Sequence, residues 1–433
     1  EKYLCQSLKN FNIIFMKRII LFIFLFFSIS FFFGQMNPEK WKEDINFLRE
    51  NLSKKHYNLF FKRDKVLFDR DLDNLISQSG KLSDLEIALK LQQIIAKQGD
   101  SHTNADYGKL MISNTKLPIK TYWFADGLYV IKTTKEYEDL LGKKIISINN
   151  YSLKQFSDSL STIFVRENQA IVKKTIPNLI VQTQLLKFFG FEKNQKYTLQ
   201  CSDNQNIKEK ELIPENFPKT SQISVKPKNI SFLWKNENKY FTGNYFLKDK
   251  TYYILYNKCV SKESPSIFTG KPEAEKLPSF LEFQDKILED LKNLKIEKVI
   301  FDMRLNGGGS SPQGTKLINE ILKLPEINKK GKLFVITGRN TFSSAIINTM
   351  DFKNSNAIFV GEETAGKPNH FGEVRGFTLP NSGIEISYST KYFNQYKNDD
   401  STIKPDFMIE ESFENFMNGI DPVFEFVKNY KKT

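Results

Sequence analysis

The stretch from Lys298 to Lys367 most constrains the fold, because three apolar runs in it each stop at a turn of Gly, Ser and polar residues. They read VIFDMRLNGGGS, FVITGRNTFSSAIINTM and NAIFVGEETAGK. Continuous apolar runs of this kind belong to strands buried on both faces, as in parallel sheets. Strand, helix and strand alternate here, which predicts an α/β core: a mixed, mostly parallel sheet flanked by helices. The glycine loop after the first run and the serine pair opening a helix after the second bring backbone N–H donors and a hydroxyl to neighbouring strand ends. These are the parts of an acyl-transfer site.

At 433 residues the chain exceeds one ordinary domain. Residues 1–35 are set apart as an over-extended start followed by a secretory leader. From Met16 the sequence runs MKRIILFIFLFFSISFFFGQ, two basic residues and an apolar stretch, with cleavage expected near Gly34–Gln35. That predicts a secreted or periplasmic protein, touching a membrane only if the leader stays uncleaved. Residues 36–112 read as helical: Trp41, Ile45, Leu48 and Leu52 share one face, Phe68, Leu72 and Leu75 another, and Ser83 with Glu86 forms a capping box. Residues 113–213 alternate in short runs and predict a β-rich module whose edges accept an extended peptide. Residues 214–433 hold the core, entered through a Lys- and Asn-rich linker between Ile207 and Asn236.

Charge and cysteine content exclude more than they suggest. Lys2, Lys9, Lys17, Arg18 and Glu1 give the leader a net +3, so the formal +13 falls to +10. The lysines are dispersed and no arginine-rich stripe stands out, so a nucleic-acid partner is not expected. Past the leader only Cys201 and Cys259 remain, and the three His are far apart in sequence, so neither a disulfide framework nor a metal site is expected. No cofactor is called for.

For an arbitrary serine at a helix start, N-capping is the plain explanation of Ser343 and Ser344. A positive helix end with free N–H groups adds the alternative of stabilising an oxyanion. Asn306-Gly307-Gly308-Gly309 permits close backbone approach, and no Gly-Lys-Ser/Thr follows to make it a phosphate loop. A serine nucleophile needs a base. His102, flanked by Asp100 and Ser101, and Lys367, in the turn Thr364-Ala365-Gly366, are the two candidates, with His370 a weaker third. Lys requires burial to lower its pKa towards neutrality, whereas His requires little tuning.

Together, FDMRLNGGG, the strand-to-helix Ser344-Ala345 and VGEETAGK resemble the S41 serine peptidases, the family of the C-terminal processing and tricorn-type proteases. The resemblance spans the mature chain loosely, with GKKIISINNYSL in the place of a PDZ-like module and a terminal KPDF. It implies a ClpP/crotonase-like core and hydrolysis of polypeptides through an acyl-enzyme. It places the nucleophile at Ser344, with Ser343 as the neighbour most easily confused with it. The oxyanion hole falls on the N–H groups of Gly308 and Ala345, and substrate contacts on Gly307, Ser343 and Ser101. The family divides between a Ser–Lys dyad, matching Lys367, and a Ser–His pair with a carboxylate, matching His102 with Asp399 or Asp400. The polar shell of GDSHT favours His102. Ile346-Ile347 stands where the family carries an acid, which keeps open a non-hydrolytic peptide- or ligand-binding protein on the same fold.

Overall fold

A computed structural model of the chain describes residues 35–111, 115–203, 206–217, 221–264 and 271–431. The expected leader, save Gln35, lies outside them. No helix among the described residues is long and apolar enough to cross a membrane.

Three helices, Pro38–Lys55, Lys65–Gln78 and Asp84–Ala96, open the described chain. Asn37, Asp64 and Ser83 cap their first turns, the last in a full capping box with Glu86. Trp41, Ile45, Leu48, Leu52, Phe68 and Leu72 are fully buried, and they pack against Leu379, Ile384, Ile386 and Tyr388 from near the other end of the chain. After β1 (Asn104–Ala105) comes a module of strands β2 (Thr115–Lys116), β3 (Ile119–Phe124), β4 (Gly127–Thr134), β5 (Lys144–Ile148), β6 (Tyr151–Ser152), β7 (Tyr197–Asp203), β8 (Asn206–Leu212), β9 (Glu215–Asn216) and β10 (Gln222–Ser224). Its main sheet runs β10-β4-β5-β7-β8, with β3 on β4 and β6 on β5. The stretch read as a linker is therefore partly sheet: β8 pairs antiparallel with β7 over seven residues, and β10 with β4. Its lysines mislead because β8 is a solvated edge, with only Leu212 buried.

The core sheet runs β11 (Phe241–Phe246), β12 (Thr251–Tyr256), β13 (Lys298–Asp302), β14 (Leu333–Thr337), β15 (Ile358–Gly361) and β18 (Phe407–Met408). All pairings are parallel except β11 with β12. On one face Ile254, Phe301 and Val335 meet Phe280, Ile287 and Leu317 of the helices Phe280–Asn293 and Ser311–Leu322. On the other, Ile300, Phe334 and Val360 meet Val423 and Val427 of the helix Pro422–Asn429. Coverage on both faces explains the unbroken apolar runs. Asp302 stands opposite Ile336, and Thr337 opposite Gly361, so the three strands end level and their loops lie side by side.

A separate antiparallel sheet, β1-β17-β16, is built on the hairpin β16 (His370–Thr378) and β17 (Glu385–Phe393). Its turn is anchored by the first helix: fully buried Asp44 accepts from the Asn381 amide (2.8 Å), the Ser382 amide (2.8 Å) and Asn381 Nδ2 (3.0 Å). Asp44→Ala removes a buried carboxylate with three charge-assisted bonds. It is expected to destabilise by about 2–3 kcal/mol, read as a lower urea midpoint at unchanged m-value.

Candidate active site

Between β14 and the helix Ser344–Asp351 the chain turns sharply through Thr341-Phe342-Ser343. Thr341 holds the turn, its hydroxyl donating to the Met303 carbonyl (2.8 Å) and accepting from the Gly338 amide (3.0 Å). Ser343 is forced to φ 55° and ψ −126°, a region that L-residues avoid and that costs on the order of 1–3 kcal/mol. A strained serine on a strand-to-helix turn presents its hydroxyl outward rather than capping. Consistently, Ser343 makes no side-chain cap hydrogen bond. Ser344 points elsewhere, its hydroxyl donating to the Gly309 carbonyl (2.6 Å), and only 8% of it is exposed.

The glycine loop packs directly on this turn. A Cβ on Gly308 would lie 2.8 Å from Ser343 Cβ and 3.1 Å from the Ser344 nitrogen, so only glycine allows the approach. The loop is held by Phe342 N–H donating to Asn306 O (3.1 Å) and by Asn306 Nδ2 donating to Tyr256 O (2.9 Å). The expected oxyanion pair is not free. Gly308 N–H donates to Asn306 Oδ1 (2.9 Å), and Ala345 N–H to Phe342 O (3.1 Å). The Ser344 N–H, at the first helical position, has no intrahelical acceptor.

His102 shares a narrow cavity with Ser343. Asp100, Ser101, Glu167, Lys367 and His370 also line it, and its volume of about 10 Å³ is near the minimum for one water. The His102 ring stacks on Phe342 (4.7 Å between centroids) and faces His370 (6.0 Å). Its Nε2 is buried with no partner. Burial pushes the ring's pKa down to about 4, further depressed by His370 and Lys174 and opposed by Asp100 and the Phe371 backbone, so the ring is neutral at pH 7. Asp100 Oδ1 lies 3.8 Å from His102 Nδ1 and accepts from the His102 amide (2.9 Å). Burial pushes the Asp100 carboxyl up, but hydrogen bonds including those from His56 Nε2 (3.0 Å) and Thr103 (2.5 Å) outweigh it and hold it at about 2. Asn58 N–H donates to His56 Nδ1 (3.0 Å), which fixes the His56 tautomer that donates to Asp100. The three histidines, far apart in sequence, thus converge.

Other expected residues fall as follows. Lys367 lines the cavity, with its Nζ 3.6 Å from Asp399 Oδ1. The Asp399 side chain is 71% exposed and Asp400 is exposed, so the carboxylate 3.8 Å from His102 Nδ1 is Asp100 and not either of these. Ser101 Oγ donates to Glu167 Oε1 (2.7 Å), and Gly307 is exposed beside the turn. Asp100 stood in the sequence as a flanking residue only. Glu167 and His56 carry no local pattern that would have singled them out. Among the described residues no group of three His, Cys, Asp or Glu is arranged to hold a metal. Cys201 and Cys259 are free and buried.

The strand-loop geometry of residues 298–370 agrees with a wider comparison: the model of peptidase family S41 matches residues 276–409. The chain carries an S41 peptidase domain. It is thereby of the serine-peptidase type that the motifs suggested. The S41 match contains Ser343, the glycine loop and Lys367 but ends well short of His102, Asp100 and Glu167. Among solved structures, mature CPAF complexed with lactacystin is similar at 12% identity and TM-score 0.61, over 90% of this chain and 97% of that one. Mature CPAF alone gives 12% and 0.58, over 90% and 96%. At such identity these matches speak for the fold alone, over 90% of the chain. A comparison with curated proteins gave no match.

Proposed function

We propose that the chain is a secreted or periplasmic serine endopeptidase in which Ser343, rather than Ser344, is the nucleophile and His102 the general base. The strained Ser343 backbone, in one cavity with the unpartnered Nε2 of His102, carries this reading. His102 takes the Ser343 proton as Oγ attacks the scissile carbonyl, then returns it to the leaving amine. The Ser344 N–H, one residue past the nucleophile, receives the oxyanion. Asp100 stabilises the imidazolium that forms, oriented in turn by His56. The β-rich module takes the PDZ-like role. An extended polypeptide is accommodated along a groove of about 770 Å³ lined by Asn104, Arg375, Phe377 and Ser387.

A fluorophosphonate probe tests the reading: stoichiometric labelling mapping to Ser343 is expected, and a wild-type chain that takes no label favours the binding-protein alternative. The pH profile supplies a second check. His102 acts in its neutral form, and its folded pKa of about 4 lies below 6.5. Activity should therefore persist through pH 6 and fall only as pH drops towards about 4. The same depression means that the unfolded chain takes up the proton first, so stability is lost between about pH 6.5 and 4. An acid limb of kcat/KM centred at 6.5 would contradict a buried His102.

A further inference from the structure

The helix Gln169–Leu179 belongs to the β-rich module, yet residues at its start reach the loops that line the catalytic cavity. Glu167 accepts from Ser101 Oγ (2.7 Å), the residue immediately before His102. Its other oxygen, Oε2, is buried without a partner. Asn168 Nδ2 donates to the carbonyls of Thr364 (3.0 Å), Ala365 (3.2 Å) and Ser401 (2.8 Å). Thr364 and Ala365 lead directly into Gly366 and Lys367, both of which line the cavity. Two turns along the same helix, Lys174 places its ammonium 4.9 Å from the centre of the Phe342 ring, the residue before Ser343. One module segment therefore touches the base loop, the Lys367 loop and the nucleophile turn.

We infer that Glu167 and Asn168 are positioning residues that hold the His102 loop and the Thr364–Lys367 loop in register with Ser343, so that the catalytic geometry is complete only with the module seated. The role rests on the peptidase reading above in assigning Ser343 and His102 to catalysis. Plain domain adhesion would need contacts anywhere on the interface. Here consecutive residues end on the two loops whose placement decides whether Nε2 and Oγ meet. A misplacement of about 1 Å at such a pair costs on the order of 100-fold in rate.

Asn168 also caps its helix, with Oδ1 accepting from the Ile171 amide (3.0 Å). Asn168→Ser keeps a capping oxygen but removes the Nδ2 group that donates to the three carbonyls, which separates helix stability from positioning. Glu167→Gln keeps an acceptor for Ser101, whereas Glu167→Ala does not. In the full chain, Asn168→Ser and Glu167→Ala are expected to lower kcat by about 30-fold or more, with KM within about threefold. Glu167→Gln should restore kcat to near wild type. Amide hydrogen exchange should accelerate at residues 364–367 in Asn168→Ser and at 99–103 in Glu167→Ala, with the melting temperature little changed. Wild-type kcat in both variants, or unaltered exchange in both loops, overturns the inference. A wild-type chain that hydrolyses nothing would defeat the peptidase reading alone, and the exchange rates would still decide whether these residues hold the loops.

Discussion

Ser343→Ala is expected to abolish peptide hydrolysis, with kcat falling by about 10⁶-fold, the scale on which removal of a nucleophile acts. Ser344→Ala is expected to fall by about tenfold. The difference follows from where the hydroxyls point. Ser343 makes no capping bond and lies in the cavity with His102, whereas Ser344 is spent on Gly309 O at 2.6 Å. Losing that bond loosens the glycine loop without removing an attacking atom. Steady-state assays on an unstructured polypeptide, with circular dichroism to establish that both variants fold, decide the matter. Equal loss in both, or greater loss in Ser344→Ala, would return the nucleophile to Ser344.

His102→Ala is expected to cost about 10⁴-fold or more in kcat, against a few-fold for Lys367→Ala. Both side chains line the cavity, but only the imidazole presents a buried, unpartnered, neutral nitrogen there. The Lys367 ammonium instead faces the exposed carboxylate of Asp399 at 3.6 Å. Single-turnover acylation with an activated ester isolates the first step, in which the base takes the serine proton. Lys367→Ala losing as much acylation rate as His102→Ala would point to a Ser–Lys dyad.

The core was legible because strands buried on both faces cannot alternate. Lys298–Asp302, Leu333–Thr337 and Ile358–Gly361 announce themselves as apolar runs. The helix faces of Trp41, Ile45 and Leu48 were legible for the complementary reason, a 3.6-residue period. Which of the two adjacent serines lines the His102 cavity was not, since they differ only in backbone conformation, and a positive φ on a non-glycine residue leaves no mark in composition. That the Gly308 N–H is engaged was hidden for the same reason: it depends on Asn306 turning its Oδ1 back onto it. The carboxylate expected at Asp399 or Asp400 lies in an exposed turn in either case, whereas Asp100, two residues from His102, is the one beside its ring. Glu167 and Asn168 reach partners 66 and more than 190 residues away, a pairing that no window of sequence displays.

The anchoring of the hairpin turn by Asp44 has a temporal consequence. Synthesis delivers His102 early and Ser343 more than 200 residues later, but the sheet that seats His102 needs Ser387, whose hydroxyl donates to the His102 carbonyl (3.0 Å). The turn at Asn381–Ser382 must also have been made before Asp44 has anything to bind. On the proposed roles, a growing chain thus carries Ser343 for some forty residues before His102 is seated. On that reading, the ability to cut polypeptide is withheld from the nascent protein until the segment that fastens its two ends together has been made.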